Sequence, residues 1–284
     1  MALRVLTILW GLIGLGAPAA ALTAATAPLT SEAPRTQCKL LSEQLSLTPG
    51  KRAWLALEFA IEPGWHMYWK GQNDTGLPPQ LSFDLPPDFK VGEILWPVPE
   101  RHISPGDLLD SIVHEQMTLL IPVDVPVNAK VGTTAKIQLK AEWLVCQDAC
   151  VLEDAALEVS LPIRDTMPAA EPNPKATGII ASARERLPRK LPKESPPATI
   201  EWGEGRVLIS APGASELIFH AEDGGVALES PLSEATAKAD KLQFRLKQSK
   251  PEQRLLGVLE IRKQGKKPEY YIVSLPQPAP AKAG

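Results

Sequence analysis

Apolar and polar residues alternate with a period of two along many short stretches of this 284-residue chain, as in strands buried on one face. Between Ala135 and Val145, the odd positions are apolar and the even positions carry mostly Lys, Gln and Glu. Further strands are predicted at 45–47, 53–61, 81–83, 117–125, 157–163, 199–204, 206–210, 216–220, 241–247, 255–263 and 269–275. Many short strands without a strand–helix–strand rhythm favour β-sandwich architecture.

Proline divides this pattern into two strand-rich blocks. Seven prolines fall between 166 and 198, and a helix is predicted from Pro174 to Leu187 with Asn173 as its N-cap. We therefore expect an all-β protein with a first domain at 38–165, a linker with one short helix at 166–198, and a second domain at 199–275. Residues 276–284 are rich in Pro, Ala and Lys, and are expected to form a disordered tail.

The first 21 residues have the composition of a secretory signal peptide. A short positive start at Arg4 precedes an apolar run from Val5 to Leu15, and small residues follow. The alternative is an uncleaved membrane anchor, but the run is shorter than the roughly 20 residues that a spanning helix needs. We expect export to an oxidising compartment, the periplasm, with no membrane span left after cleavage.

Composition and motifs exclude several classes of function. The chain has 30 Lys and Arg against 33 Asp and Glu, so it lacks the basic field of a nucleic-acid-binding protein. Nucleotide-binding glycine loops, the GxSxG nucleophile motif and the HExxH zinc motif are absent from the sequence. Three cysteines are too few for a four-cysteine zinc site. We expect no cofactor and no metal site.

The segment from Trp143 to Cys150, WLVCQDAC, holds a cysteine pair four residues apart. Such a pair can form a disulfide only if the chain reverses or coils between the two residues, and the strand pattern on either side predicts a hairpin with its tip at 147–149. The alternation places Cys146 on the wet face, where an exchange partner can reach it. Spacing alone supports a structural clip and a redox pair equally. Nearby acidic residues should raise the thiol pKa and make the pair reducing; they are Asp148, Glu153 and Asp154.

Four motifs occur in a recognisable order along the first block. They are GWHMYW at 64–69, DTGLPP at 74–79, WPVPER at 96–101, and WLVC at 143–146 followed by Cys150. Over roughly residues 40–165 the chain resembles the N-terminal periplasmic domain of the thiol:disulfide interchange protein DsbD, especially its ScsB-like branch. The resemblance implies two successive immunoglobulin-like β-sandwich domains. It also implies that Cys146 and Cys150 are the catalytic pair, carrying electrons from a membrane domain to periplasmic thioredoxin-fold proteins.

The resemblance also places further side chains near the pair. These near-site candidates, together with Asp148 from the hairpin, are Trp65, His66, Tyr68, Trp69 and Asp74. For the two tryptophans, the alternative is a role as ordinary core aromatics. The family's aromatic-Gly-Tyr-Glu element is replaced here by the sequence from Ile112 to Glu115.

The leading hypothesis is an exported thiol–disulfide exchange module, similar in activity to a protein-disulfide reductase. The sequence has no multi-span membrane region, so a separate membrane electron carrier is an expected partner. One alternative is a non-catalytic β-sandwich adaptor with a structural disulfide. Another is a copper-handling protein that uses Cys146, Cys150 and nearby Met117 or His114. Cys38 is expected to lie outside the exchange site.

Overall fold

The computed structural model describes residues 33–165, 170–247 and 253–276, and the predicted signal peptide lies outside them. The first part of the chain forms β1 (Thr36–Ser42), β2 (Arg52–Ile61), β3 (His66–Tyr68), β4 (Gln80–Asp84), β5 (Lys90–Val91), β6 (Glu100–Ser104), β7 (Leu108–His114), β8 (Gln116–Asp124), β9 (Thr134–Cys146) and β10 (Cys150–Pro162). The rest forms α1 (Pro174–Glu185), β11 (Arg189–Lys190), β12 (Thr199–Gly203), β13 (Arg206–Ser210), β14 (Glu216–Ala221), α2 (Pro231–Glu234), β15 (Thr236–Ala237), β16 (Lys241–Arg245), β17 (Arg254–Arg262) and β18 (Glu269–Pro276).

The first ten strands build a sandwich of two antiparallel sheets. One sheet has the order β1-β2-β8-β5, and the other has the order β10-β9-β3-β7-β6, with β4 also paired to β9. Alternate side chains of each sheet point inward, so Phe59 of β2 meets Trp143 of β9 with their ring centroids 5.0 Å apart. The side chains on the opposite face of the β9 sheet are therefore not part of the core between the two sheets.

The later strands build a second, smaller sandwich. Its sheets have the orders β11-β18-β17-β14-β15 and β12-β13-β16, and Phe219 stacks on Phe244 between them at 5.1 Å. The predicted fold class is confirmed: the protein is all-β, with two immunoglobulin-like β-sandwiches joined by a proline-rich connector that contains one short helix.

Helix α1 of the connector is packed on the first sandwich. It begins as predicted, because the side chain of Asn173 accepts a hydrogen bond from the Lys175 N–H and Pro174 occupies the first turn. Its buried face carries Ala176, Ile180 and Ala183, which join a cluster with residues of β2 and β8. Beyond the helix, β11 adds to the second sandwich beside β18.

The two sandwiches contact each other through the segment after β3. The Lys70 ammonium lies 2.7 Å from the Glu222 carboxylate, and the Gln72 amide donates to the carbonyls of Glu222 and Val226.

Within the described ranges, none of the helices has the length and apolar character required to cross a membrane.

One predicted strand is absent, one hairpin was not predicted, and α1 ends at Glu185, two residues before the predicted end at Leu187. Residues 45–47 are not a strand, although Leu47 makes an isolated bridge to Ile163. The β6–β7 hairpin was not predicted, because five consecutive residues of β7 are buried and its sequence therefore lacks alternation. This hairpin matters, since it carries side chains of the site.

Candidate redox site

The two cysteines close the β9–β10 hairpin. Cys146 and Cys150 are directly opposite in the strand register, with their Cα atoms 4.1 Å apart, and they form a disulfide. The three residues between them make the reversal, in which the Gln147 N–H donates to the Ala149 carbonyl. The hairpin predicted from the strand pattern is therefore present.

The two cysteine residues differ sharply in exposure. Cys146 is 2% exposed and clusters with Tyr68, Ile112 and Leu144, whereas Cys150 is exposed. The expectation that Cys146 would be accessible is wrong. The Cys146 side chain lies on the face of β9 that the alternation predicts. However, the short strand β3 pairs with β9 at this point and places His66 opposite Cys146. A partner can approach the pair from the side of Cys150.

Three histidines lie side by side next to the disulfide. His66 pairs with Cys146 of β9 on one side and with His114 of β7 on the other. The ring centroid of His66 lies 5.2 Å from that of His102 and 5.8 Å from that of His114. Burial, and then the charges of His102 and His114, lower the pKa of His66 to about 4. The imidazole next to the pair is therefore neutral at pH 7.

A hydrogen-bonded chain links the exposed cysteine to a buried carboxylate. The Tyr68 hydroxyl lies 3.8 Å from Cys150 Sγ and 2.9 Å from Thr75 Oγ1, and Thr75 Oγ1 lies 2.6 Å from Asp110 Oδ2. Asp110 is 1% exposed, and its Oδ1 accepts the backbone N–H groups of Asp74 and Thr75. The loop after β3 is thus tied to β7 at the edge of the disulfide.

Gly76 lets this loop approach Tyr68 closely. A Cβ atom at position 76 would overlap the Tyr68 ring, so a larger residue would displace either the loop or the ring. The DTGLPP motif therefore has three local roles. The Asp74 carboxylate accepts from the Leu109 N–H, Thr75 bridges Tyr68 to Asp110, and Gly76 supplies the space for the ring.

The structure brings four of the near-site candidates close to the cysteines and separates two. His66, Tyr68, Asp74 and Asp148 lie on β3, in its following loop and at the exposed hairpin tip. Trp69 is buried in the core of the first sandwich and lines a cavity of about 310 Å³ between the sandwiches. Trp65 is half-buried, and its ring lies beneath the guanidinium of Arg35 at 5.0 Å.

One of the acidic residues expected to act on the thiols faces elsewhere. Glu153 accepts hydrogen bonds from the Trp143 indole N–H at 3.2 Å and from the Arg35 backbone N–H at 2.5 Å. Trp143 belongs to the core side of β9, so this carboxylate is on the face opposite to the disulfide. Asp148 keeps its place at the tip between the two cysteines.

Cys38 lies in the other sheet of the first sandwich, opposite Phe59 on β2. It is a free cysteine within the described residues, and burial raises its pKa to about 12. Its thiol is therefore a weak nucleophile at neutral pH.

The ligands of the copper hypothesis do not converge. Met117 is fully buried in the core on β8, in the other sheet, whereas His114 lies on β7 beside His66. Across residues 33–165, 170–247 and 253–276, no group of three or more His, Cys, Asp or Glu side chains is arranged to hold a metal ion.

Sequence reasoning missed two residues of the site, His102 and Asp110, whereas Thr75 lies within the DTGLPP motif that the resemblance placed near the pair. Asp110 and Ser111 interrupt the apolar residues between Leu108 and Val113, and a carboxylate in a buried strand requires hydrogen-bond donors. That interruption was the available signal. The identity of its partners depends on the pairing of β3 with β7, which the sequence pattern does not contain.

Comparison with known proteins agrees with this geometry. Residues 39–162 match the family model described as thiol:disulfide interchange protein DsbD, N-terminal. The N-terminal periplasmic domain of ScsB from Proteus mirabilis has a similar structure, with 13% sequence identity and a TM-score of 0.55, covering 86% of this chain and 94% of that one. None of the curated protein sequences compared matches the chain.

Two weaker structural similarities involve Neisseria meningitidis. The DsbD N-terminal domain in its reduced form matches at 14% identity and a TM-score of 0.30, covering 44% of this chain and 85% of that one. A complex between the DsbD N-terminal and PilB N-terminal domains matches at 15% identity and a TM-score of 0.26, covering 42% of this chain and 80% of that one.

The β-sandwich, the cross-strand disulfide and the family match together support a thiol–disulfide exchange module. Residues 39–162 are a DsbD N-terminal-like domain.

Proposed function

We propose that this protein passes reducing equivalents through Cys146 and Cys150 to periplasmic thioredoxin-fold proteins. The observation that carries the proposal is the unequal exposure of the pair, with Cys150 exposed and Cys146 buried beneath β3. Exchange requires that a sulfur be approached by a second protein, and the arrangement presents Cys150 for that contact.

The reaction consists of two exchange steps. The Cys150 thiolate attacks one sulfur of the partner disulfide, forms a mixed disulfide, and releases the other partner sulfur as a thiolate. The Cys146 thiolate then attacks Cys150 Sγ, restores the Cys146–Cys150 disulfide, and releases the second partner thiolate. Two electrons move to the partner, and the two protons lost by this pair are taken up there.

A separate membrane electron carrier reduces the pair again in this proposal. The family match supports this assignment, because the resemblance implies a membrane domain as the source of electrons. The signal-peptide composition of residues 1–21 supports a periplasmic location. N-terminal sequencing of the protein from a periplasmic fraction is expected to start after this segment, and retention of Met1 would contradict export by cleavage.

Trapping of the mixed disulfide tests the order of attack. In a Cys38→Ser background, the Cys146→Ala variant is expected to accumulate a disulfide-linked complex with a thioredoxin-fold partner, because its resolving thiol is missing. The Cys150→Ala variant is expected to trap little, since Cys146 is 2% exposed. Equal trapping by both variants would contradict the assigned roles. The Cys38→Ser protein itself is the control and should transfer electrons at the normal rate.

Glutathione titration separates a redox pair from a structural clip. A pair that serves exchange should have a reduction potential above about −300 mV, within reach of cellular thiols. If the folded protein resists glutathione and thioredoxin, with a potential below that range, the disulfide is structural and the proposed function is wrong.

A further inference from the structure

The side chains between Cys150 and Asp110 form a hydrogen-bonded chain whose direction can be assigned. Three donors converge on the Asp110 carboxylate: the backbone N–H groups of Asp74 and Thr75 at 2.9 and 3.0 Å from Oδ1, and the Thr75 hydroxyl at 2.6 Å from Oδ2. In the last of these contacts the Thr75 hydroxyl is the donor and the carboxylate oxygen is the acceptor. The hydroxyl hydrogen of Thr75 is therefore used on Asp110.

This assignment fixes the orientation of the Tyr68 hydroxyl. A hydroxyl has one hydrogen to donate, and Thr75 has already used its own, so the 2.9 Å contact between Tyr68 and Thr75 requires Tyr68 to be the donor. Tyr68 is 2% exposed, and its burial raises the pKa of its hydroxyl, so it keeps its proton at neutral pH. The oxygen lone pairs of Tyr68 are then left to face Cys150 Sγ, 3.8 Å away.

We propose that Asp110, acting through Thr75 and Tyr68, holds the reduced Cys150 as a protonated thiol that donates its S–H to the Tyr68 oxygen. A hydrogen bond accepted from the thiol stabilises the neutral form, and the thiolate is the nucleophile in exchange. The resting reduced protein is thereby slow to react with disulfides. Asp110 and Thr75 are positioning residues, whereas Tyr68 touches the reacting sulfur. This inference rests on the proposed function.

Several charged and titratable groups lie on the elements packed around Tyr68 and Cys150. His66 on β3, whose ring lies 5.6 Å from that of Tyr68, is neutral because its pKa is about 4. The remaining groups are His114 on β7, His102 and Glu100 on β6, Asp74 in the loop and Asp148 at the hairpin tip. Glu100 lies 3.4 Å from the His114 ring, so the carboxylate faces that imidazole.

The pKa of Cys150 tests the proposal on chemically reduced protein. In a Cys38→Ser, Cys146→Ala background, alkylation by iodoacetamide at a series of pH values reports on the single remaining thiol. Asp110→Asn should reverse the chain, because the amide donates to Thr75, Thr75 then donates to Tyr68, and Tyr68 donates to the Cys150 thiolate. The thiol pKa is expected to fall by about one unit, which raises the thiolate fraction at pH 7 roughly tenfold.

Two further variants distinguish an effect of the hydrogen-bonded chain on the pKa of Cys150 from the effect of removing a nearby negative charge. In a Tyr68→Phe background, Asp110→Asn should leave the pKa of Cys150 nearly unchanged, because the link to the sulfur is missing. Asp148→Asn is the charge control, since it removes an exposed carboxylate two residues from either cysteine but leaves the chain intact. If Asp110→Asn lowers the pKa equally in both backgrounds, or lowers it no more than Asp148→Asn, the chain does not act as proposed.

Thr75→Val provides a second route if Asp110→Asn fails to fold, which near-ultraviolet circular dichroism will show. This variant frees the Tyr68 hydroxyl from its acceptor, so it too should lower the pKa of Cys150, and an unchanged pKa would overturn the proposal. The alkylation assay uses no partner and a chemical reductant. Failure of exchange alone would therefore refute the proposed function, whereas an unaltered pKa in these variants would refute this inference.

Discussion

At the scale of single residues, the site depends on what lies opposite each side chain across the sheet. His66 faces Cys146 on one side and His114 on the other, and its pKa of about 4 follows from burial and from the neighbouring imidazoles. Asp110 adds the opposite influence, since its negative charge favours the protonated ring. Burial and like charge outweigh that attraction, so the ring is neutral in the folded protein at pH 7.

This low pKa predicts that the protein loses stability as the pH falls from about 6.5 to about 4. In that range the unfolded chain protonates His66 and the folded chain does not, so protons favour unfolding. The loss is at most about 3.5 kcal/mol, because the pKa of His66 is lowered from 6.5 to about 4 and one pKa unit corresponds to about 1.4 kcal/mol. Urea unfolding at a series of pH values measures it, and His66→Gln should flatten the dependence.

His102→Gln is the matched control for this prediction, since it changes a half-exposed neighbour on β6 and leaves His66 in place. The control should keep the larger part of the pH dependence. If the His66→Gln and wild-type proteins show the same slope between pH 6.5 and 4, burial does not shift this imidazole as described.

Local motifs allowed part of the site to be predicted from the sequence. Cys146 and Cys150 lie four residues apart at a strand boundary, so their pairing across a hairpin follows from the strand pattern. The bridge from Tyr68 through Thr75 to Asp110 could not be predicted from the strand pattern. It joins segments about 35 residues apart, and their contact depends on the β3–β7 register. The exposure of each cysteine depends on the same register.

At the scale of elements, the hairpin β9–β10 and the helix α1 were predictable because their signals are strong and local. Thirteen residues of clear alternation mark β9, and Asn173 with Pro174 marks the helix start. Strand β3 has only three residues, all buried, and β7 is buried on both faces. Such short apolar runs carry no period, so the strands that complete the site were not predicted.

The N-cap of α1 should contribute measurably to stability. Asn173→Ala removes the acceptor for the Lys175 N–H and the donor to the Ser42 carbonyl at 2.9 Å, and we expect a loss of about 1 kcal/mol in urea unfolding. Asn173→Asp keeps the acceptor and loses only the donor, so its effect should be smaller. Glu194→Ala, at an exposed connector position, is the control and should change little. Equal destabilisation by Asn173→Asp and Asn173→Ala would show that the tether to Ser42, rather than the cap, is what matters.

At the scale of the whole molecule, the connector between the sandwiches is largely held in place. Helix α1 packs on β2 and β8, β11 pairs with β18, and Lys70 meets Glu222 across the contact between the sandwiches. The stretch from 191 to 198 contains neither helix nor strand and is mostly exposed.

Independent folding of the two strand-rich blocks, which the proline-rich linker led us to expect, stays a prediction that proteolysis can examine.

Brief trypsin digestion is expected to cut first after Lys193, because backbone in an exposed, unpaired segment reaches the protease active site most easily. Mass spectrometry of the first products measures this, and Lys193→Gln should delay it. Early cleavage after Lys175 or Arg184 would contradict the packed state of α1. If the two fragments stay together on a sizing column under native conditions, the contacts at Lys70 and Gln72 hold them.

The four-residue spacing of the cysteine pair has a consequence for folding. A loop so short closes at little entropic cost, so the disulfide can form on a nascent chain, whereas Tyr68 and Asp110 reach it only after segments about 40 to 80 residues away have joined the sheet. A chain that has not completed this late step already has the Cys146–Cys150 disulfide, but its cysteines are still surrounded by water. The low reactivity of the reduced Cys150 is therefore acquired only at the end of folding, so a fall in the rate of alkylation of the reduced chain can report the completion of the first sandwich.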